Sequence, residues 1–375
     1  MTMSLTRRLA AWPIGVALWG FAGAALADYE LNMPKGVTDI SNEVYSLHML
    51  IFWITVVIGI GVFGAMFYSI YRHRKSKGHA AEQFHEKTSV EVVWTIIPFL
   101  ILVGMAVPAT KTLIAMEDTT ESDLTVKVTG YQWKWHYDYI NQDIAFFSNL
   151  ATPRAQIHNA EQKAENYLLE VDNPLVLPTG KKVRLLITAA DVIHAWWVPD
   201  LAVKKDAIPG FINEVWTKIE EPGVYRGQCA ELCGRDHGFM PITVVAKSPA
   251  DYKAWVKAQK ADQEAEKVAA GKDWTMSDLM AKGEKVYNAS CAACHQPDGK
   301  GIPGSFPPIK DSPVATGEID KHMDIVVNGV DGTAMQAFGP QLSKVELAAV
   351  ITYQRNAFGN DTGDKVQPSD IKGAE

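Results

Sequence analysis

Two long stretches without charged residues constrain the fold of this 375-residue chain more than any other feature. Residues 44–71 contain no Asp, Glu, Lys or Arg, and residues 92–110 are also uncharged. Each stretch supplies about the 20 apolar residues that a helix needs to cross the hydrocarbon core of a bilayer. We therefore predict transmembrane helices at about 46–71 and 92–111, which form a helical hairpin over residues 28–115.

The loop between these two spans is basic, because it holds five Lys or Arg residues against two Glu. Loops that are rich in Lys and Arg remain on the cytoplasmic side of the membrane. The mature N-terminus and everything after Lys111 are therefore predicted to lie outside the cytoplasm.

The first 27 residues have the three parts of a secretory signal peptide. Arg7 and Arg8 precede an uncharged run at 9–26, and a small-x-small motif ends at Ala27. An uncleaved membrane helix is the alternative, because the run is nearly long enough to span a bilayer. The Ala and Gly content of the run, and the polar sequence that follows it, favour a signal peptide at residues 1–27.

Charge and cysteine content narrow the possible functions. A net charge of -7 and a pI near 5.8 argue against a nucleic-acid partner, which requires a basic face. The four cysteines form two close pairs, Cys229 with Cys233 and Cys291 with Cys294. Two disulfides are the ordinary interpretation for an exported protein. A histidine accompanies each pair in the sequence, and this favours metal and haem chemistry.

After the membrane spans the sequence changes to short β-rich runs separated by Pro and Gly turns. Residues 182–188 and 242–245 are two such runs, and the pattern is typical of an antiparallel sandwich or barrel. We assign residues 116–248 to this β-domain. Within it, residues 141–166 fit the pattern poorly and are interpreted as a long loop or an insertion.

The C-terminal third of the chain is predicted to be helical. Residues 249–273 are rich in Ala, Lys, Glu and Gln, which indicates a solvated helical linker. Residues 274–358 have helical patterns on either side of a middle part rich in Gly and Pro, and predict a small all-α domain. The polar residues 359–375 are interpreted as a flexible tail.

Soft metal ligands are concentrated in one segment of the β-domain. Cys229 and Cys233 lie four residues apart, and His237 and Met240 follow them. His194, at the end of an earlier β-rich run, supplies a second imidazole. Thiolate and thioether favour copper, so the group could hold two copper ions through shared sulfurs. A structural zinc site or a disulfide is the alternative, but zinc would leave Met240 without a role.

Four motifs of the β-domain occur together in one known family. They are Asp-Asn-Pro at 172–174, His-Ala-Trp at 194–196, Asp-Ala-Ile-Pro-Gly at 206–210, and Cys229-x-Glu231-x-Cys233-x3-His237-x2-Met240. Through them the chain resembles cytochrome c oxidase subunit II over roughly residues 40–246. The resemblance implies a cupredoxin-like Greek-key β-barrel that holds a dinuclear copper centre, CuA.

The resemblance also implies a role for each ligand. The two cysteines would bridge the copper ions, and His194 and His237 would bind one ion each. Met240 and the backbone carbonyl of Glu231 would be weak ligands. The Glu231 side chain would bind a magnesium or manganese ion shared with subunit I, and a solvated loop carboxylate is its alternative interpretation.

Two further residues are assigned by the same resemblance. A tryptophan at the position of Trp133 lies between the copper centre and a docked donor in that family, although core packing is the ordinary role of such aromatic residues. Lys134 departs from the aromatic residue often found next to it. Glu91 matches a carboxylate at the cytoplasmic mouth of a proton path, and it also fits a capping box with Thr88.

The second cysteine pair belongs to a haem-attachment signature. Cys291, Cys294 and His295 form the C-x-x-C-H motif, in which the thiols bond covalently to haem c and the histidine binds the iron. Met335 is the predicted sixth ligand, because it lies in a turn-rich loop before the last helix, as in the class I cytochromes c that this segment resembles. Met323 and His322 are the alternatives.

These features predict subunit II of a caa-type haem–copper oxidase. It would lie in the bacterial inner membrane, with two passes, and carry its copper and haem domains on the periplasmic side. Electrons from a donor cytochrome c or a membrane cytochrome complex would reach the haem c, then CuA, then the haem and copper of subunit I. There oxygen would be reduced to water, with proton translocation. Subunit III is a further expected partner.

Three other functions fit the sequence less well. A nitrous-oxide-reductase-like enzyme would require a large His-rich catalytic propeller, which this sequence does not contain. A membrane-anchored copper-delivery protein would not require the haem signature. A quinol oxidase subunit II would lack the copper ligands.

Overall fold

The computed structural model describes residues 32–78, 83 and 85–372. The signal peptide predicted for residues 1–27 lies outside the described residues. The described chain divides into two compact units. One unit holds the residues up to Pro108 except Val37–Ile40, and the other holds Val37–Ile40 and the chain from Ala109 onward.

Among the described residues, two helices are long and apolar enough to cross a membrane. Helix α1 spans Asp39–Arg72 and helix α2 spans Thr88–Glu117. Most of their large apolar side chains are exposed, which is favourable in contact with lipid and unfavourable in water. Both helices extend beyond the predicted spans of 46–71 and 92–111 at each end.

The β-domain contains two five-stranded sheets. The strands are Leu124–Tyr131 (β1), Lys134–Tyr139 (β2), Ile144–Ser148 (β3), Leu175–Pro178 (β4), Val183–Ala189 (β5), His194–Val198 (β6), Val203–Ala207 (β7), Asn213–Thr217 (β8), Gly223–Cys229 (β9) and Pro241–Lys247 (β10). The sheet orders are β3-β2-β1-β5-β8 and β4-β10-β9-β6-β7. The pairs β1–β5 and β4–β10 are parallel, and the other pairs are antiparallel.

Strand β2 shows how the sequence builds the core of this domain. Trp135, Tyr137 and Tyr139 are fully buried at alternate positions, whereas His136 and Asp138 between them are partly exposed. Alternation of this kind is the two-residue period of a strand with one buried face. Burial of three large aromatic side chains stabilises the domain by several kcal/mol. The predicted cupredoxin-like β-domain is confirmed.

Residues 141–166, interpreted from the sequence as a loop or insertion, contain more regular structure than predicted. Ile144–Ser148 form the edge strand β3, which pairs with β2. A short helix, α3, spans Arg154–Ile157. Two adjacent phenylalanines conceal the strand period in the sequence. Phe146 packs on buried tyrosines of β2, whereas Phe147 contacts the ring of His136.

Helix α4, Pro249–Ala270, occupies the predicted linker. Ser248 caps it by accepting a hydrogen bond from an N–H of the first turn at 3.2 Å. The first turns of the helix are not solvated as the sequence suggested. Tyr252 is buried, and Trp255 packs on the β-domain core with its ring 5.2 Å from that of Tyr139. The helix is therefore attached to the β-domain by packing.

The C-terminal domain is helical, as predicted. Its helices are Met276–Ser290 (α5), Ala292–His295 (α6), Ile319–Asn328 (α7) and Lys344–Asn356 (α8). Helices α5 and α8 cross closely, because a Cβ at Gly283 would lie only 2.2 Å from the Ala349 carbonyl oxygen. Only glycine permits this approach. A capping box formed by Ser343 and Glu346 begins α8.

The C-terminal segment differs from the flexible tail predicted for residues 359–375. Val366 and Ile371 are buried in the helical core. Asp364 forms an ion pair with Arg355 of α8. This segment therefore packs against the helical domain and does not extend into solvent. Its mostly polar composition does not reveal this packing. The last three residues of the chain lie outside the described part.

Candidate copper and haem centres

The predicted copper ligands meet at one end of the β-domain. Cys229 ends strand β9 and His194 begins the neighbouring strand β6, so sheet pairing fixes both. Cys233, His237 and Met240 follow in the loop before β10. The donor atoms of His194 and the two cysteines all lie within 4.8 Å of one another.

Cys233 lies among the other sulfur and nitrogen donors. Its Sγ is 3.8 Å from Cys229 Sγ, 3.5 Å from His237 Nδ1 and 3.5 Å from Met240 Sδ. Cys229 Sγ lies 3.9 Å from His194 Nδ1. Both cysteines are free thiols, so the pair is not a disulfide. Two central sulfurs with an imidazole beside each fit a centre in which thiolates bridge two metal ions.

A carboxylate fixes the orientation of the His194 ring. His194 Nε2 lies 2.9 Å from Asp191 Oδ1, and the carboxylate can only accept from it. The ring proton is therefore on Nε2, and the Nδ1 lone pair faces Cys229. Burial lowers the pKa of His194, but the hydrogen bonds with Asp191 and Cys229 outweigh burial and raise it overall. A carboxylate that is hydrogen-bonded to the ring in this way is usual for histidines that bind metals.

The two thiols differ in acidity. The hydrogen bond from Cys233 lowers the pKa of Cys229. The neighbouring Cys229 and burial raise the pKa of Cys233. Without a metal, one negative charge is therefore stabilised between the two sulfurs and a second is opposed. A metal cation removes this opposition, because coordinated thiols are deprotonated.

Glu231 contacts one of the two cysteines and Trp133 contacts the other. The Glu231 carbonyl oxygen is 3.3 Å from Cys229 Sγ, whereas the Glu231 side chain is exposed. Trp133 Nε1 donates a hydrogen bond of 3.1 Å to the Cys233 carbonyl, and Gln132 Nε2 donates one of 2.8 Å to the same oxygen.

A cavity of about 1010 Å³ lies beside the C-x-x-C-H segment. Cys291, Cys294, His295 and Met335 all line it, and both cysteines are free thiols. Its volume is at the upper end of that of small-molecule sites, which suits a group as large as a porphyrin. Burial raises the pKa of Cys291 to about 12 and also raises that of Cys294.

The His295 ring is held with one nitrogen available. His295 Nδ1 lies 2.8 Å from the Pro307 carbonyl oxygen, which can only accept a hydrogen bond. The proton is therefore on Nδ1 and the Nε2 lone pair is available to a metal. Burial lowers the pKa of His295, which keeps the ring neutral.

The three candidates for the sixth ligand occupy different surroundings. Met335 lines the cavity, and Met323 packs against the helical core without lining it. His322 also lines the cavity, but its Nε2 is bound to Gln354 Oε1 at 2.8 Å. Its Nδ1 is buried without a hydrogen-bond partner among the described residues.

Glu91 lies in the first turn of α2, as predicted. The predicted capping box with Thr88 is not formed. Instead, Glu91 Oε1 accepts a hydrogen bond of 3.1 Å from the Lys87 backbone N–H, because the helix begins one residue earlier than the box required. Glu91 therefore caps the helix while remaining partly exposed.

Sequence reasoning missed three residues around these centres. Asp191 lies three positions before His194, and this spacing was the available signal. The roles of Gln132 and Gln336 could not be predicted from neighbouring residues, because their hydrogen-bond partners are distant in the sequence. Gln336 Nε2 donates to Asp191 Oδ2 at 3.2 Å and to the Gln132 carbonyl at 3.3 Å.

Three family models match successive parts of the chain. The transmembrane domain of cytochrome c oxidase subunit II matches residues 27–112, and its periplasmic domain matches 124–247. The cbb3-type cytochrome c oxidase subunit III matches residues 278–353. The fold and these matches define a haem–copper oxidase subunit with two membrane helices, a periplasmic cupredoxin-like domain and a cytochrome c domain.

Individual relatives agree with this class. A probable cytochrome c oxidase subunit 2 of Rickettsia prowazekii (strain Madrid E) is 39% identical over 236 residues, which are 63% of this chain and 74% of that protein. Cytochrome c oxidase subunit 2 of Cereibacter sphaeroides is 35% identical over 239 residues, 60% of this chain and 79% of that protein. The chain belongs to the cytochrome c oxidase subunit II family.

One solved structure covers the periplasmic part. The crystal structure of the periplasmic domain of cytochrome oxidase subunit II of Bradyrhizobium japonicum is 41% identical, with a TM-score of 0.35, and covers 38% of this chain and 98% of that one. Family membership implies a CuA copper centre, the C-terminal domain implies haem c, and subunit I is an implied partner.

Proposed function

We propose that this chain receives electrons for a bacterial caa-type oxidase. A donor cytochrome c or a membrane cytochrome complex would deliver each electron to the haem c. The electron would then reach CuA and subunit I, where oxygen would be reduced to water with proton translocation. The copper and haem groups supply reversible one-electron chemistry. The residues of the chain hold them, orient them and exclude water.

In this proposal Cys229 and Cys233 would be shared by two copper ions, and His194 and His237 would each hold one. Met240 and the Glu231 carbonyl would be weak ligands. Support comes from the short distances between sulfur and imidazole and from the strand pairing that fixes Cys229 beside His194. A rigid site suits electron transfer, because the ligands need not rearrange when the charge changes.

For the haem c, Cys291 and Cys294 would form the covalent links, and His295 and Met335 would bind the iron. The support is that all four line one cavity and that the His295 tautomer leaves Nε2 available. A methionine ligand favours a high reduction potential, which suits delivery of electrons to copper.

The observation that carries the proposal is the position of Trp133. This residue lines the haem cavity, and its Nε1 donates a hydrogen bond to the carbonyl of Cys233. One side chain therefore connects the wall of the haem site with the backbone of a copper ligand. We assign to Trp133 the transfer of electrons between the two centres.

The remaining assignments concern the rest of the complex. Glu91 would serve the cytoplasmic mouth of a proton path, and the exposed Glu231 carboxylate would bind magnesium or manganese at the boundary with subunit I. Subunit III is a further partner. The protein would lie in the bacterial inner membrane with both redox domains in the periplasm.

The domain boundaries predicted from the sequence are part of the same proposal. They are a signal peptide at 1–27, the membrane hairpin at 28–115, the CuA domain at 116–248, the linker at 249–273 and the cytochrome c domain at 274–358.

The test is a photoreduction experiment on the purified intact oxidase. A light pulse excites an added dye, which takes an electron from a sacrificial donor and reduces the haem c, and absorption then follows the reoxidation of the haem and the reduction of copper. We expect Trp133→Leu to slow this step at least tenfold, with metal and haem content unchanged. Trp216→Phe is the control, because Trp216 Nε1 bonds only to the Ala115 carbonyl.

Two results would contradict the proposal. One is a wild-type complex that contains a single copper per subunit II. The other is reduction of subunit I by the haem c while the copper centre stays oxidised.

A further inference from the structure

The haem cavity has walls from both redox domains. The copper domain contributes the turn at Gln132–Lys134, the segment around α3 and part of the loop at 235–239, and the helical domain contributes the rest. Hydrogen bonds join the two sides at the rim. Arg235 Nη1 donates to the Ala293 carbonyl at 3.2 Å, and Arg154 Nη2 donates to the Asn288 carbonyl at 3.3 Å. The cavity is therefore complete only when the copper domain is in place.

The positive charge of the cavity comes from one side. Lys134, Arg154 and Arg235 line it, and all three belong to the copper domain. The lining residues that the structure describes in the helical domain include no Lys or Arg. The helical domain therefore relies on its neighbour for cationic side chains around the haem.

Lys134 is the most buried of these cations, with 7% of its surface exposed. Its Nζ lies 4.9 Å from the ring centroid of Phe147 and 5.1 Å from that of Phe338. Among the residues that the structure describes, no hydrogen-bond acceptor contacts this nitrogen. The faces of aromatic rings attract a cation, but more weakly than a carboxylate does.

An ammonium group in this position is costly for the protein alone. Burial lowers the pKa of Lys134 to about 8, and the charges of Cys291, Asp191 and Asp172 oppose this only from a distance. A buried charge without a close partner is retained only where other interactions compensate for it. A haem with two carboxylate groups, seated in the adjoining cavity, would add negative charge to that of Asp236, which also lines the cavity.

We propose that Lys134 of the copper domain sets the reduction potential of the haem c in the neighbouring domain. This inference rests on the proposed function, since it requires haem in the cavity. Oxidation adds one positive charge to the haem. A nearby cation in a medium of low dielectric constant opposes that charge and favours the reduced state. Loss of the cation should therefore lower the potential.

The experiment is a redox titration of the haem c in the purified intact oxidase, followed by its absorption. In Lys134→Met, we expect the ratio of reduced to oxidised haem at a fixed potential to fall at least tenfold, which corresponds to 59 mV for one electron. Lys134→Arg keeps the charge and should stay within threefold of wild type. Lys204→Met removes an exposed lysine of the same domain and should change nothing.

Haem content, measured separately, distinguishes the possible failures. A wild-type complex without covalent haem would contradict the proposed function itself. A haem-loaded Lys134→Met or Lys134→Gln with the wild-type potential would overturn only the role of Lys134. If both neutral variants lose haem and Lys134→Arg keeps it, the requirement for a cation is supported. If Lys134→Arg also loses haem, the position requires the shape of lysine and the inference is wrong.

Discussion

Gln336 of the haem domain donates a hydrogen bond of 3.2 Å to Asp191 Oδ2 of the copper domain. The other oxygen of Asp191 lies 2.9 Å from His194 Nε2. Gln336 directly follows Met335, the predicted haem ligand. Two hydrogen bonds therefore connect Gln336, through Asp191, with the predicted copper ligand His194. The two centres therefore share a polar connection as well as the aromatic one through Trp133.

The hydrogen bonds of Gln336 should hold the helical domain in a fixed position relative to the copper domain. Gln336→Ala removes its hydrogen bonds to Asp191 and Gln132, worth about 1 kcal/mol each, and should slow electron transfer from haem to copper severalfold. Photoreduction of the intact oxidase measures this rate. Asn328→Ala is the control, because its amide bonds only to Asp324 of the same helix. Equal rates in both variants would show that the contact does not position the domains.

The Asp191 carboxylate should be required for firm copper binding. Asp191→Ala leaves the His194 ring without its oriented tautomer, and loss of such a partner typically lowers metal affinity 10–100-fold. Copper retained by the purified complex under a graded series of chelator concentrations measures the loss. Asp206→Ala, an exposed aspartate on β7, is the control. Wild-type retention in Asp191→Ala would contradict the predicted ligand role of His194.

The sixth haem ligand can be identified by a matched pair of substitutions. Met335→Leu should remove the methionine–iron charge-transfer absorption and lower the haem potential, because methionine ligation raises it. Met323→Leu makes the same chemical change at a core position and should leave both unchanged. The reverse pattern would identify Met323. An absorption spectrum unaffected by either substitution would direct attention to His322.

The stability of the haem-free chain should depend on pH through Lys134. Its pKa of about 8 lies below the 10.5 of an unfolded lysine, so unfolding takes up a proton between these values and the free energy of unfolding rises with pH across that window. Lys134→Met should therefore be more stable by about 3 kcal/mol at pH 7. The difference should disappear near pH 10.5.

Urea unfolding of the intact chain in detergent, with Cys291→Ala and Cys294→Ala to prevent haem attachment, checks this pH dependence. Other titrating groups are common to both forms and cancel in the comparison. If the free energy of unfolding of the Lys134→Met variant differed from that of the chain with Lys134 by a constant amount from pH 7 to 10.5, the burial of a charged lysine would be contradicted.

The C-terminal segment should contribute to stability. Ile371 is 3% exposed within the helical core, and truncation of such a side chain typically costs about 2–5 kcal/mol. Ile371→Ala should therefore lower the thermal unfolding temperature of the cytochrome domain, measured by the loss of haem absorption features. Lys372→Ala, an exposed neighbour, should have no effect. A segment that extends freely into solvent would tolerate both substitutions.

The parts of the molecule that the sequence predicted are those with local signals. Uncharged runs predicted the two long apolar helices, and ligand spacing predicted that Cys229, Cys233 and His237 lie close together. Each of these signals lies within a few residues, where backbone geometry determines which side chains can meet.

The parts that were missed depend on partners far away in the sequence. Lys134 could be recognised as unusual, but its burial depends on Phe338, which follows it by some 200 positions. The order of residues 359–372 likewise depends on Arg355 and on the core beneath Val366. The composition of a segment reflects only its tendency to be ordered in isolation, so the polar composition of residues 359–375 predicted a flexible tail.

The attachment of helix α4 has a kinetic consequence. Tyr252 and Trp255 fasten the start of this helix to the β-domain, so the cytochrome is not carried on a freely diffusing tether. Under the proposed function, electron transfer from the haem to copper would then be a first-order event within one polypeptide, and its rate would not depend on the concentration of the external donor. A scarce donor would limit only how often the haem is reduced again.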